Sequence, residues 1–186
     1  PALGSDRVEG SLPLNKLMAS WVKAVKNAGI KKINGAIISD DLLFKEPFTP
    51  DNWLWVDLGN YYGAGASALS INDNLYELYS KPGNKIGATA NVLRTAPEVD
   101  GLIFDNQMKT GVRGSGDNGY IYRAPGQYQA VLRGTIPAGV NEFPIKGSLP
   151  QPALFAANFF RKNLQDNGIA VQEDAHMQNL PQDYGK

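Results

Sequence analysis

The chain has 186 residues, with 18 Lys and Arg against 18 Asp and Glu. That length fits one ordinary domain or two small ones, and the balanced charge implies no strong attraction to nucleic acid or to an anionic membrane. With no cysteine and one histidine, His176, disulfides, thiolate metal sites and multi-histidine sites are excluded.

Twenty glycines and twelve prolines favour many turns and β-structure. No apolar run approaches the length that spans a membrane. The chain starts at Pro1 rather than at a methionine. This is expected of a processed chain or of a piece of a longer protein.

Leu14, Leu17, Met18, Trp21, Val22, Val25 and Ala28 recur at helical spacing, while Lys16, Ser20, Lys23 and Asn27 take the other side. Gly29 then serves as the helix C-cap, followed by the apolar Ile30. Residues 33–40 read as a buried strand. Helix, glycine turn and strand make one α/β unit.

Residues 40–60 read as irregular, with Pro47, Pro50, Trp53 and Trp55. Tryptophan is mostly buried, so the pair is expected to plug the space under this loop. The run Asn60-Tyr61-Tyr62-Gly63-Ala64-Gly65-Ala66-Ser67-Ala68-Leu69-Ser70-Ile71-Asn72-Asp73-Asn74 follows. Its small residues suit a tight backbone crossing. Leu69 and Ile71 alternate with Ser70 and Asn72, a turn follows at 72–74, and a strand resumes over 75–79.

From Gly83 the pattern changes. Strands are expected at 89–94, 102–108, 120–123, 129–134 and 143–146, separated by Gly/Pro turns. Such spacing suggests a small β-sandwich or barrel. At Pro150-Gln151-Pro152 the helical pattern returns. Ala153, Ala156, Ala157, Phe160 and Leu164 give a second amphipathic helix, closed by Asn167-Gly168-Ile169 and followed by a strand over 169–172.

The expected fold is therefore an α/β domain (α+β in class) with two helix-strand units, interrupted by a small all-β sandwich or barrel-like domain. Its boundaries are placed at 1–82 and 149–175 for the discontinuous α/β part, 83–148 for the inserted β part, and 176–186 for a polar, fraying tail.

Three short motifs carry possible chemistry. Ser20-Trp21-Val22-Lys23 fits SxxK, Ser70-Ile71-Asn72 fits SxN, and Lys109-Thr110-Gly111 fits KTG. Together these are the marks of a serine acyl-transferase of the penicillin-recognising type. There a serine one helical turn from a lysine can give its proton to the amine, and the second serine, asparagine and lysine relay protons and orient substrate.

The plainer reading is preferred. Ser20 is mid-helix and opposite the apolar stripe, so it and Lys23 face solvent. SxxK and SxN each occur about once by chance in such a chain. The interval from Ser20 to Lys109 is also too short to enclose a catalytic domain.

Other candidates are weaker. Residues 63–67, Gly-Ala-Gly-Ala-Ser, lack the third glycine and the strand-to-helix passage of a dinucleotide loop. Asp40 with Asp41, and Asp73 with Asp117, have no spacing that recommends a metal or acid–base role. They read as solvated or capping groups. Tyr61, Tyr62, Tyr76, Tyr79, Tyr120, Tyr122 and Tyr128 could stack on sugars, although tyrosine on half-exposed strands is ordinary. No residue set asks for a cofactor or a metal.

The wording of the sequence adds a resemblance. Residues 60–69 with Asn72-Asp73-Asn74 resemble a segment of the D-alanyl-D-alanine carboxypeptidase/endopeptidase family, the class C penicillin-binding proteins. Pro1-Ala2-Leu3-Gly4-Ser5 is similar to that family's DPxL lead-in. Residues 35–40 with Phe44 and Trp53 are similar to its following strand and loop. Residues 95–99, the span from Thr110-Gly111 to Tyr120-Ile121-Tyr122, residues 133–137 and residues 149–153 match it in style and order. The resemblance covers almost the whole chain.

That resemblance implies a long insertion in a penicillin-binding domain. The family's own SxxK would lie upstream of it, and its SxN and KTG downstream. Ser20, Ser70 and Lys109 would then be look-alikes, and no catalytic, cofactor-binding or metal-binding residue is carried over. The parent would be a serine DD-peptidase of the periplasm or cell envelope. It would act on peptidoglycan by acyl-enzyme chemistry and be blocked by β-lactams. The expected partners are peptidoglycan peptides and the parent's catalytic domain, with neither nucleic acid nor a transmembrane segment involved. Two alternatives stand beside this: a binding module for cell-wall glycan or a protein partner, and a complete small acyl-transferase using the three motifs.

Overall fold

The computed structural model describes residues 3–44 and 49–178. The chain divides into two units. One takes residues 1–46, 66–73 and 151–186, and the other takes 47–65 and 74–150.

The first unit carries the α/β pattern. Helix α1, Leu14–Asn27, buries Leu17, Met18 and Val22. It ends in a Schellman motif, with Gly29 at φ 76°, its N–H donating to Lys26 O and that of Ile30 to Val25 O. Helix α3, Pro152–Asp166, ends in the same way. Gly168 sits at φ 83°, with its N–H donating to Gln165 O and that of Ile169 to Leu164 O. Left-handed backbone is nearly free for glycine and strained for other residues, so both stops are encoded locally.

Each stop leads into a strand, and the two chain segments run side by side. Strand β1 (Lys32–Ile33) pairs in parallel with β10 (Ala170–Val171), and β2 (Ile38–Asp40) with β11 (His176–Gln178). The register passes from Lys32↔Ala170 to Ile38↔His176 without a slip. Val22, Leu164, Ile169 and Val171 form the core beneath, with Val25, Ile33, Ile37 and Phe160 packed on it. Trp21 meets Phe160 edge to face at 5.4 Å.

Two expectations change here. The buried strand over 33–40 is two short strands broken at Asn34-Gly35, and Ile38 is 59% exposed. The fraying tail from 176 begins instead with β11, whose backbone is held by β2. Residues 179–186 of that tail, and Pro47, Pro1 and Ala2, lie outside the described residues.

The second unit holds the remaining strands and a short helix, α2 (Trp55–Leu58). Strand β3 (Leu75–Lys81) is the middle of a three-stranded antiparallel sheet, between β4 (Asn91–Ala96) and β9 (Phe143–Ser148). The other sheet is built on β8 (Gln129–Pro137). Strands β5 (Ile103–Asn106) and β6 (Lys109–Gly111) lie end to end along it in parallel, in one unbroken register, and β7 (Asn118–Tyr122) pairs with it antiparallel. Among the described residues no barrel closes. The mixed helix and strand class is as expected.

The boundary drawn at residue 83 shifts. Residues 74–82 and 47–65 group with the β-rich unit. Strand β3 finds its partners there, so the cut falls at Asn74. The alternation at 69–71 gives an isolated parallel bridge between Leu3 and Ile71 rather than a strand. The turn at 72–74 is real and left-handed throughout, with φ of 53°, 51° and 54°. Asn and Asp tolerate that region better than other side chains with a Cβ.

The tryptophan plug also fails, since Trp53 and Trp55 are 38% and 55% exposed. Among the described residues, no helix is long and apolar enough to cross a membrane.

Candidate functional site

The three catalytic-looking motifs do not share a unit. Ser20 and Ser70 lie in the first and Lys109 in the second. Ser20 is exposed on α1, and its hydroxyl donates to Leu17 O at 2.7 Å, within its own helix. Lys23 is exposed and lines a shallow groove of about 270 Å³ with Asn15, Ala19 and Asn163. Ser20 is not one of that groove's walls.

Ser70 is half-buried and donates to Ser67 O at 3.0 Å. Asn72 donates its backbone N–H to Leu3 O at 2.9 Å. Each of these groups is therefore engaged by neighbouring backbone.

The KTG triplet is strand β6 itself. Lys109 Nζ donates to Thr89 Oγ1 at 2.8 Å on the surface. Thr110 is buried, and its hydroxyl oxygen accepts from Gly83 N at 2.7 Å. Gly111 packs closely on the side chains of Ser115 and Thr135. The buried threonine and the closely packed glycine hold this strand in place, with Lys109 on its exposed side.

The small-residue run crosses from the second unit to the first and back. At Gly63 the backbone carbonyl of Asp57 occupies the place of a Cβ. Ser67 donates to Asp41 Oδ1 at 2.8 Å and to Leu69 O at 3.0 Å, and Ala68 N donates to the same carboxylate at 2.6 Å. Asn74 Nδ2 donates to Gly65 O at 3.1 Å. The donors of 67–68 thus satisfy the half-buried Asp41 carboxylate, which suits a structural crossing.

The acidic residues take local roles too. Asp40 Oδ1 accepts from Leu42 N, and Asp117 Oδ1 from Gly119 N, each closing an Asx-type turn. Burial raises the Asp117 carboxyl above the usual range, against that hydrogen bond. Asp73 accepts from Ser5 Oγ at 2.8 Å, holding the left-handed turn. His176 is exposed on β11. No group of three or more His, Asp or Glu that could hold a metal occurs among the described residues.

One polar centre was invisible in the sequence. Arg123 is 3% exposed, and its guanidinium donates to Gln127 O, Ser148 O and Ser148 Oγ. Ser148 in turn donates to Leu58 O at 2.7 Å. Asn60 accepts from Ile121 N and donates to Val56 O beside it. Burial lowers the Arg123 pKa from its ordinary value. The guanidinium is met by carbonyls and one hydroxyl, which suits fixing the loop ends in place.

The surface of the second unit offers an open groove of about 640 Å³ between β4 and the segment leading into β5. Arg94 on its wall forms a bidentate pair with Glu142, at 2.6 and 2.9 Å, and lies over the Tyr79 ring. The tyrosines divide by environment. Tyr76 is fully buried, Tyr128 half-buried, and Tyr61, Tyr62 and Tyr120 exposed.

Comparison with known proteins places the chain in a family. A curated relative, the D-alanyl-D-alanine carboxypeptidase of Actinomadura sp. (strain R39), is 27% identical over 173 residues, which are 90% of this chain and 31% of that protein. The fold resembles penicillin binding protein 4 (dacB) from Haemophilus influenzae, with a TM-score of 0.64 at 17% identity, over 90% of this chain and 37% of that one. A second structure of that protein, complexed with a novel β-lactam, gives a TM-score of 0.54 at 16% identity, over 96% and 37%. The chain thus spans about a third of the length of these relatives. The family pattern for the D-Ala-D-Ala carboxypeptidase 3 (S13) family matches residues 6–185, nearly end to end, and the chain belongs to that family.

Proposed function

We propose that this chain is the non-catalytic insertion of a serine-type D-Ala-D-Ala carboxypeptidase or endopeptidase that remodels peptidoglycan in the cell envelope and binds penicillin. The family match over residues 6–185, on a chain spanning about a third of its relatives, carries this reading. The engagement of Ser20 inside its own helix supports the non-catalytic part. A nucleophile needs a base within reach and a cleft before it. Here the Ser20 hydroxyl donates to a backbone carbonyl, and Lys23 lines a groove without it.

The chain acts as scaffold, or as a positioning module for substrate or partner, beside a catalytic domain formed by other segments. Its partners are peptidoglycan peptides and that domain, and its place is extracytoplasmic. The test is release of D-alanine from a peptide ending in D-Ala-D-Ala, assayed with this chain alone. No release above the uncatalysed background is expected, and steady turnover lost on Ser20→Ala would overturn the reading.

A further inference from the structure

Three exposed tyrosines of the second unit, with half-buried Tyr122, form one face. Tyr61 and Tyr62 occupy a 3₁₀ turn and meet edge to face, with ring centroids 5.2 Å apart at 77°. Tyr120 and Tyr122 stand two residues apart on β7, on one side of the sheet, with centroids 6.4 Å apart at 43°. The pairs belong together: Asn60, the residue before Tyr61, accepts from Ile121 N and donates to Ile121 O, between Tyr120 and Tyr122, and the Tyr62 hydroxyl is pushed up first by burial, then by Asp57, Tyr120, Asp117 and Tyr61. Tyr62 is 51% exposed and Tyr120 40%.

Four charges frame these rings. Lys146 Nζ lies 5.9 Å from the Tyr61 centroid, and Arg133 Cζ lies 5.3 Å from that of Tyr122. Arg133 is also the cross-strand partner of Tyr120. Asp57 and Asp117 each raise the Tyr62 hydroxyl electrostatically. The frame is electrically balanced, so it selects neither a polyanion nor a cationic tail.

What remains is a set of aromatic surfaces rimmed by hydroxyls, carboxylates and cationic donors. That chemistry suits a ligand with a flat C–H face and a rim of neutral hydrogen-bonding groups. We infer that the face built by Tyr61, Tyr62, Tyr120 and Tyr122 binds a neutral saccharide chain, stacked on the rings and hydrogen-bonded at its edge by Asp57, Asp117, Arg133 and Lys146. The inference stands on these residues and not on the carboxypeptidase reading, so D-alanine release by this chain would leave it untouched.

The probe is chitotetraose, a neutral β-1,4 tetramer of N-acetylglucosamine, titrated into the chain with tyrosine and amide NMR shifts as readout. Saturable shifts centred on residues 61–62 and 118–122 are expected. Tyr62→Ala and Tyr120→Ala should each weaken binding about tenfold. Tyr79→Ala, which removes the ring under Arg94, should leave it unchanged. Affinity should also hold between low and high salt, since the ligand carries no charge. Both variants are at exposed positions, and an unchanged amide spectrum elsewhere would establish that they fold.

Absence of saturable shifts, or binding that both variants retain, would overturn the inference. So would binding confined to a charged polymer and lost in salt. A protein partner that competes for this face while chitotetraose does not bind would overturn it as well.

Discussion

The Ser20 hydroxyl donates to the carbonyl oxygen of Leu17, 2.7 Å away and one turn earlier in α1. This bond supports the non-catalytic reading proposed for the SxxK sequence. A serine back-bonded to its own helix competes slightly with the helical ladder and offers no lone proton to a neighbouring amine. Ser20→Ala is therefore expected to change stability by no more than about 0.5 kcal/mol, in the stabilising direction if at all. Urea denaturation followed by circular dichroism checks this.

The two helix stops should behave alike. Gly29 and Gly168 both sit at positive φ with open space where a Cβ would go. Alanine there meets no clash and pays only the left-handed backbone cost, about 1–2 kcal/mol at each site. Equal losses in thermal or urea unfolding for Gly29→Ala and Gly168→Ala are expected. A loss at one site alone would show that the two ends are not equivalent.

These stops were legible in the sequence because they are local. An apolar stripe, a glycine and an apolar residue lie within a few positions of one another. Strands β4, β5, β7, β8, β9 and β10 were also legible, each bounded by its own turn, whereas β6 was not foreseen. What the sequence hid was pairing. Nothing near residues 75–81 shows that they are the centre of a sheet completed by residues 143–148, so the unit boundary was drawn some nine residues late. Residues 176–178 look like a polar tail because their strand is made by backbone bonds to β2, not by apolar side chains. Arg123 gave no signal because its partners are carbonyls distant in sequence. KTG gave no strand signal of its own, yet Lys109–Gly111 is a short strand paired with β8.

A buried clash makes the sharpest stability prediction. A Cβ on Gly147 would overlap the ring of Tyr76, which is fully buried opposite it in the β3–β9 ladder. Gly147→Ala is expected to cost about 3 kcal/mol. The same change made in a Tyr76→Leu background should cost less, because the smaller side chain vacates the space. Urea unfolding of the four proteins gives the coupling directly.

Tyr76 also sets an alkaline limit. Burial pushes its hydroxyl up to about 12, partly offset by Arg123 nearby. The folded chain keeps this proton where the unfolded chain, near pH 10, has lost it. The stabilisation is complete below about pH 10 and fades as pH rises towards 12, with a slope of up to about 1.4 kcal/mol per pH unit. The hydroxyl has no hydrogen-bond partner among the described residues. Tyr76→Phe is thus expected to be neutral or stabilising at pH 7 and to flatten the alkaline slope. Stability measured from pH 8 to 12 for both proteins checks this.

Ser148 links Arg123 to the carbonyl of Leu58. Removing its hydroxyl leaves a buried guanidinium N–H and a buried carbonyl each short of a partner. Ser148→Ala should cost about 1–3 kcal/mol, and Ser148→Thr, which keeps the hydroxyl, should recover part of it. Equilibrium unfolding separates the two variants.

The non-catalytic reading is tested most directly by the intact mass of this chain after incubation with benzylpenicillin. An unchanged mass is predicted, because the Ser20 hydroxyl is tied to Leu17 within its own helix. A gain of one penicilloyl group per chain, abolished by Ser20→Ala, would contradict it.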